Sequence, residues 1–407
     1  MKTIKGGVTA AKGFKAASTA AEIKYKGRKD MLLIYSESPC TAAGVFTSNV
    51  VKAAPVMWDR EICNGIHPVH AIVGNSGIAN ACTGELGKRI CKETADAVTN
   101  LLGIPENSVL VASTGVIGMQ MNMEAVKKGI CDMVPKLSDT TEAGTGAAEA
   151  IMTTDTYAKE MAVEFELDGK TCTIGALAKG SGMIHPNMCT MLSFVTTDVS
   201  ISHDLLQKAL REVANETYNM ISVDGDMSTN DSVMVLANGE AGNSEITEEG
   251  DAYNTFKEGL YTICREVARM LAGDGEGATA LFTVHVKNAD TKDNARTLAK
   301  SVICSSLTKA MIYGHDANFG RILCALGYSG VLFDPEKVEL SIHSEAGNVL
   351  LFKNGEPQAF DEEYATKVLS EKEVIAEVDM NLGNEEATAW GCDLTYDYVK
   401  INADYRS

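Results

Sequence analysis

Between Ala178 and Asp198 the chain reads Ala-Lys-Gly-Ser-Gly-Met-Ile-His-Pro-Asn-Met-Cys-Thr-Met-Leu-Ser-Phe-Val-Thr-Thr-Asp, and no other stretch combines such residue types so abruptly. A flexible Gly-rich turn (Gly180, Gly182) and a Pro186-Asn187 turn run straight into an apolar strand beginning at Cys189-Thr190. Taken alone, Thr190 is one more β-branched strand residue, and the segment's physics leaves its function open. Other places could carry chemistry and fail on spacing. His67 and His70 lie three apart, but Pro68 argues against a helical metal-ligand pair, and the seven histidines are dispersed with no HExxH. Gly273-Asp274-Gly275-Glu276-Gly277 is Gly-rich, yet it follows a helix-like segment instead of a strand and lacks dinucleotide spacing, so it reads as a loop. There is no GxxxxGK[ST] phosphate loop and no GxSxG nucleophile elbow.

The elements that must position these residues alternate. Strand-like stretches include Met31–Tyr35, Ala71–Val73, Val109–Ala112, Met161–Leu167, Ser232–Ala237, Leu281–Val286, Val338–Ile342 and Val374–Asp379. Helix-like stretches include Gly84–Leu102, Met123–Val134, Asp204–Asn219, Thr255–Leu271 and Asn294–Ser306. In Asp204–Asn219, Leu205, Leu206, Ala209, Leu210, Val213 and Ala214 recur at helical spacing behind an expected Asp204 N-cap. Thr141–Ala150 fits either a helix or a connector, and Glu245–Asp251 a solvated turn. This alternation predicts a layered α/β or α+β fold. No repeat, low-complexity tract or long linker marks a domain boundary. At 407 residues the chain has room for two or three domains or one large α/β unit.

Composition narrows the classes. Hydrophobic residues at 45% and charged residues at 22% suit a chain with a sizeable core. A net charge of −19 argues against nucleic acid as a partner, because such binders need a basic footprint. No apolar run approaches a membrane span, and Met1–Gly7 has no signal-peptide core, so a cytoplasmic location is expected. The eleven cysteines form no CxxC pair. Their apolar settings, notably at Cys63, Cys91, Cys131, Cys264, Cys304 and Cys324, predict buried free thiols.

The stretch Lys179-Gly180-Ser181-Gly182-Met183-Ile184-His185-Pro186-Asn187-Met188-Cys189-Thr190-Met191-Leu192 closely resembles the self-cleavage region of the ornithine acetyltransferase family of arginine biosynthesis. Further blocks match in family order: Gly6–Phe14, Ala112–Gly118, Ala150–Thr156, Val223–Asp231, Gly314–Arg321 and Trp390–Val399. The resemblance therefore runs from the first ten residues to the last. Two departures stand out. Cys189 replaces the usual Ala before the nucleophile, and Ser407 stands at the end where many members have Thr.

The resemblance implies a self-cleaving α/β fold of layered sheets and helices, the ArgJ-like fold shared with self-cleaving DmpA-type aminopeptidases, with two intertwined chains. The cut between Cys189 and Thr190 would give an α chain, 1–189, and a β chain, 190–407, that assemble as an α2β2 heterotetramer. A Thr hydroxyl needs an adjacent base. A freed α-amine, with a pKa of about 7.7–8.0, lets Thr190 supply its own, which an internal Thr cannot do. The implied reaction is ping-pong transfer of acetyl from N-acetylornithine through Thr190 to glutamate. Acetyl-CoA is the donor if the enzyme is bifunctional, and no cofactor or metal is implied. By the same resemblance, Thr114 and Gly115 stabilise the oxyanion, while Lys179, Glu276, Asn402, Ser407 and Thr156 (or Thr154) contact substrate. Lys179 is also expected to disfavour protonation of the Thr190 amine. The alternatives are a monofunctional acetyltransferase, a self-cleaving amidohydrolase or aminopeptidase using water as acceptor, and an uncut binding protein.

Overall fold

The computed structural model describes residues 1–65, 67–185 and 191–403. The chain forms two units. The first comprises Met1–Gly180, Pro186–Asn219 and Met227–Val267; the second comprises Ser181–His185, Met220–Asp226 and Ala268–Ser407. Among the described residues no helix is long and apolar enough to cross a membrane.

The first unit is built on a nine-stranded sheet. Its order runs Lys2–Ile4, Lys159–Leu167, Lys170–Lys179, Leu192–Thr197, Ser232–Ala237, Met31–Phe46, Val69–Asn75, Val109–Ser113, with Phe14–Thr19 also paired to Met31–Phe46. Leu192–Thr197 is buried along its whole length, as expected of a central strand covered on both faces. It runs antiparallel to Lys170–Lys179 and parallel to Ser232–Ala237. Met31–Phe46 is far longer than the expected Met31–Tyr35. A register shift between Tyr35 and Cys40 breaks the apolar pattern there, and its first half pairs with Phe14–Thr19 while its second pairs with Ser232–Ala237. On one face Phe14, Leu32, Ile72, Leu110, Phe194 and Met234 pack under the helix Thr141–Ile151, whose Ala147, Ala148 and Ala150 permit close approach. That segment is thus a helix, capped by Thr140, whose Oγ1 accepts from Ala143 N at 3.3 Å. On the other face Leu33, Val73, Val109 and Val111 meet the helices Gly84–Leu102 and Met123–Met133. The helix His203–Glu216 is entered through Ser202, which corrects the Asp204 N-cap. Asp204 instead lies in the first turn, where its charge still suits the helix dipole.

The second unit carries a seven-stranded sheet, ordered Glu356–Pro357, Gly347–Lys353, Glu339–Ser344, Glu373–Asp379, Leu281–Ala289, Glu385–Cys392, Ile221–Ser222. The helix Lys292–Cys304 covers it with Ala295, Leu298, Ala299, Val302 and Ile303, an i, i+3, i+4, i+7, i+8 stripe. Ser305 ends that helix and caps the next, Ser306–Tyr313, accepting from Thr308 N at 3.2 Å. The expected helix Asn294–Ser306 is thus Lys292–Cys304, and the helix that follows it was not expected. The cysteine expectation also needs correcting: Cys63, Cys91 and Cys264 are buried, Cys131 and Cys324 are exposed, and Cys304 is half-buried.

Candidate active site

The residues expected to act fall into two groups, one in each unit. In the first unit the strand Val109–Ser113 ends at Thr114-Gly115. Thr114 N donates to Asn75 O at 3.0 Å and Val116 N to Gly77 O at 3.1 Å, which staples this turn to the segment after Val69–Asn75. Gly115 has φ +129°, and a Cβ there would sit 2.2 Å from the Gly77 carbonyl carbon, so only glycine fits. A buried amide network stiffens the turn. Asn230 Nδ2 donates to Ala79 O at 2.6 Å and Ser113 O at 2.8 Å, and Ser113 Oγ donates to Asn75 Oδ1 at 2.7 Å.

Lys179 is the last residue of the strand Lys170–Lys179 and is only 8% exposed. Its Nζ donates to Thr114 Oγ1 at 3.3 Å, across 65 residues of sequence. Asp155 organises the surroundings. Its Oδ1 accepts from Lys159 Nζ at 2.7 Å and Gly180 N at 2.7 Å, and its Oδ2 accepts from Thr153 N at 3.1 Å. The Asp155 and Lys159 side chains are completely buried. Burial alone would raise the Asp155 pKa, but the charges of Lys179 and Lys159 and these hydrogen bonds outweigh it and hold the carboxyl at about 2. Asp231 behaves oppositely. Burial pushes its pKa well up against the pull of Ser228, Lys179 and Thr47, and its Oδ2 has no hydrogen-bond partner.

In the second unit Glu276 lies in the loop after the helix Asp251–Gly273 and is buried. Its Oε2 accepts from Asn402 Nδ2 at 2.6 Å, and its backbone N donates to Ser181 O at 2.9 Å. Asn402 ends the helix Tyr396–Asn402, which Thr395 caps while donating through Oγ1 to Gly277 O at 2.8 Å. A Cβ on Gly182 would lie 2.3 Å from Glu276 Oε2, so glycine at 182 is what lets the carboxylate sit against the backbone. His185 Nδ1 lies 3.2 Å from Ser222 Oγ and 3.5 Å from Cys304 Sγ. Burial, aided by Lys300, lowers the His185 pKa to about 4, and burial lowers that of Lys300 to about 8.

The structure thus joins Thr114 to Lys179 and Glu276 to Asn402 directly. Thr156 is exposed beside Asp155, and Thr154 is half-buried. Cys189, Thr190 and Ser407 lie outside the described residues. Sequence reasoning missed Asp155 and Lys159, although opposite charges four apart before a strand were a usable signal. It also gave no role to Asp224, which is half-buried, or to Asp231, which is buried although no local pattern in its block announces that. Among the described residues no group of three or more His, Cys, Asp or Glu is placed to hold a metal ion.

Comparison with known proteins adds an independent line. The ArgJ family model matches residues 15–407. The arginine biosynthesis bifunctional protein ArgJ of Symbiobacterium thermophilum is 52% identical over 100% of both chains. That of Thermotoga neapolitana is 50% identical over 97% of this chain and 99% of its own. A crystal structure of arginine biosynthesis bifunctional protein ArgJ from Bacillus halodurans, 47% identical, superposes with a TM-score of 0.50 over 53% of this chain and 99% of that one.

Proposed function

The chain belongs to the ArgJ family and is an acetyltransferase of arginine biosynthesis, and from that premise we propose that it moves acetyl from N2-acetyl-L-ornithine to L-glutamate through an ester on Thr190. The observation that carries this reading is the 3.3 Å contact of Lys179 Nζ with Thr114 Oγ1, at the ends of two strands of one sheet. The strand Leu192–Thr197, whose first residue pairs with Lys179, starts two residues after Thr190.

Self-cleavage between Cys189 and Thr190 creates the α chain 1–189 and the β chain 190–407. It also frees the Thr190 amine, whose pKa of about 7.7–8.0 makes it a base near neutral pH. That amine takes the Thr190 hydroxyl proton as Oγ attacks the acetyl carbonyl. Thr114 Oγ1 and Gly115 N–H receive the oxyanion, each such donor being worth about 2.7–4 kcal/mol. Collapse expels ornithine, which takes the proton from the amine. The glutamate α-amine then attacks the ester carbonyl, the bond from carbon to Thr190 Oγ breaks, the amine's proton passes by way of the Thr190 amine to Oγ, and N-acetylglutamate leaves. The Lys179 ammonium faces the substrate carboxylate and disfavours protonation of the Thr190 amine. Glu276 meets the substrate ammonium, with Asn402, Ser407 and Thr156 completing the contacts. Acetyl-CoA serves as a second acetyl donor to the same Thr190, which makes the enzyme bifunctional without a cofactor. The assembly is an α2β2 heterotetramer in the cytoplasm.

Intact-mass spectrometry after incubation with N-acetylornithine tests the reading. The expected result is a β chain beginning at Thr190 that carries one acetyl group and loses it on addition of glutamate. A single uncut 407-residue chain without an adduct refutes it.

A further inference from the structure

The chain has a net charge of −19, yet the loop Lys24-Tyr25-Lys26-Gly27-Arg28-Lys29 holds four cations in six residues. This loop joins the strands Phe14–Thr19 and Met31–Phe46, and Asp30, buried beneath it, fastens its base. Asp30 Oδ1 accepts from Ala21 N at 2.6 Å, Oδ2 from Ile23 N at 2.7 Å, and Asp30 O from Ser76 N at 3.0 Å. Arg28 is anchored as well, donating through Nη2 to Met152 O at 2.6 Å, and Lys29 pairs with Glu149 at 2.8 Å. Lys26 is exposed, and Lys24 Nζ donates to the hydroxyl of the exposed Tyr25 at 2.6 Å. Among the described residues neither of these two ammonium groups has a carboxylate partner, although the exposed Glu22 stands at the start of the loop. The loop borders the Thr114-Gly115 turn, with Gly77 between them. A Cβ on Gly77 would lie 3.1 Å from Lys24 Cβ and 4.0 Å from Tyr25 Cδ2, while a Cβ on Gly115 would strike Gly77 itself.

We propose that this loop is the subsite for the nucleotide end of acetyl-CoA, with Lys24 and Lys26 meeting its phosphate groups. The inference rests on the reading that acetyl-CoA is a second acetyl donor and that Thr114-Gly115 receives its carbonyl oxygen. Coenzyme A carries a pyrophosphate and a ribose 3′-phosphate at one end and the thioester at the other, joined by the long, flexible pantetheine arm. An enzyme that holds the thioester at the Thr114-Gly115 turn must therefore meet the phosphates beside that turn and not within it. The basic loop stands in such a place. N-acetylornithine has no phosphate, so the other half of the chemistry gives these lysines no task. An ammonium on a flexible stem suits a phosphate, which it meets as a point charge. Because Asp30 and Arg28 already pin the loop, little of its backbone has to be ordered on binding. On so acidic a chain the summed field repels a polyanion, and a local basic edge at the mouth of the site admits one.

The test compares three acetyl donors to glutamate in steady-state assays: acetyl-CoA, acetylpantetheine (the same thioester without the nucleotide) and N-acetylornithine. Lys24→Ala/Lys26→Ala should raise KM for acetyl-CoA roughly tenfold or more, about the factor that one charge-assisted phosphate contact supplies. The KM values for acetylpantetheine and N-acetylornithine should stay at wild type, and Lys24→Arg/Lys26→Arg should keep that for acetyl-CoA low. Lys208→Ala/Lys257→Ala removes the same charge from the helices His203–Glu216 and Asp251–Gly273 and should leave all three donors unchanged. Added salt should weaken the use of acetyl-CoA by wild type, and far less by the Lys24→Ala/Lys26→Ala variant. Inorganic phosphate and ADP, other sources of the same anionic groups, should compete with acetyl-CoA and not with N-acetylornithine. An unchanged KM for acetyl-CoA in Lys24→Ala/Lys26→Ala, an equal loss with acetylpantetheine, or an equal loss in the Lys208→Ala/Lys257→Ala control overturns the inference. So does ADP that slows both donors alike, which would mark a separate regulatory site. In each of these cases the two-donor reading stands. A wild type that takes acetyl from N-acetylornithine but from neither thioester removes that reading and the inference with it.

Discussion

Replacing Asp155 by Asn isolates the electrostatic support of the Lys179 site. The carboxylate is the acceptor for Lys159 Nζ and Gly180 N, both at 2.7 Å, and it is buried together with Lys159. Asn keeps the volume and one acceptor but leaves the Lys159 ammonium buried without its counter-charge. Breaking a buried pair on one side costs about 3–5 kcal/mol. An independent figure comes from titration. A carboxyl held at about 2 instead of 3.8 is stabilised in its ionised form by roughly 2 kcal/mol, since each pKa unit is worth about 1.4 kcal/mol. The two figures measure different things, loss of a partner against preference for the charged form, and both exceed a surface effect. Unfolding entropy of about 2.1 cal/mol/K per residue over the whole chain converts a loss of ~3–5 kcal/mol to a fall in Tm of roughly 4–6 °C. The pH dependence has a definite sign. The folded pKa lies below the unfolded one, so this stability is present above about pH 4 and disappears as pH falls toward 2. Differential scanning calorimetry of wild type and Asp155→Asn at pH 7, 5 and 3 reads both quantities. The difference should be full at pH 7 and 5 and reduced at pH 3. A variant as stable as wild type at pH 7, or a gap that ignores pH down to 3, refutes the reasoning.

Four further outcomes follow from the same geometry. Gly115→Ala should lower kcat for N-acetylornithine by about 10²–10³, because the added Cβ collides with Gly77 and moves one oxyanion donor; near-wild-type turnover would contradict this. Lys179→Met should weaken substrate binding and shift the pH–rate profile toward higher pH; a weakened KM with an unmoved profile would leave Lys179 in binding but remove its influence on the Thr190 amine. Glu276→Gln should raise KM for N-acetylornithine more than it lowers kcat in steady-state assays, since a neutral amide still accepts from Asn402 but no longer pairs with an ammonium. His185, with its pKa lowered to about 4, should show imidazole NMR shifts that stay flat from pH 8 to 5.5. Because the unfolded chain binds a proton there near pH 6.5 and the folded one does not, its contribution to stability should fall as pH drops from about 6.5 toward 4.

Local pattern fixed some elements to the residue and lost others for identifiable reasons. Gly84–Leu102 was legible because apolar spacing and Gly punctuation agreed at both ends, and Ser232–Ala237 because an apolar run lies between Asn230-Asp231 and Asn238-Gly239. Lys170–Lys179 was not, since it opens with the polar run Lys170-Thr171-Cys172-Thr173 and closes on a lysine next to glycine. That gap left Lys179 without an element, and the groups it meets there, Thr114 and Asp155, are remote in sequence. The site residues named in advance came from resemblance over long blocks, and no spacing rule would have found them. What resemblance could not supply was the charge state around them: an ionised Asp155 and a buried Asp231 look alike as letters, and only their partners separate them.

The strand order also bears on why a cut chain would stay together. If the break falls between Cys189 and Thr190, neither fragment owns a unit. The nine-stranded sheet interleaves them: Leu192–Thr197 and Ser232–Ala237 of the β chain lie between Lys170–Lys179 and Met31–Phe46 of the α chain. Each of the two α–β seams is a six-residue antiparallel pairing, Ile174↔Thr197 through Lys179↔Leu192 on one side and Ser232↔Phe46 through Ala237↔Thr41 on the other. The second unit's sheet, by contrast, is wholly β chain, and the α chain enters that unit through Ser181–His185. Separating the fragments would therefore expose four strand edges in the middle of a sheet, two on each fragment, and the fully buried faces of Phe194 and Met234, each large apolar side chain contributing about 1.5–3 kcal/mol. Cutting one peptide bond removes none of these contacts. Cleavage and cohesion are thus compatible, because both α–β seams lie in strands away from the cut and keep their ladder pairings after it.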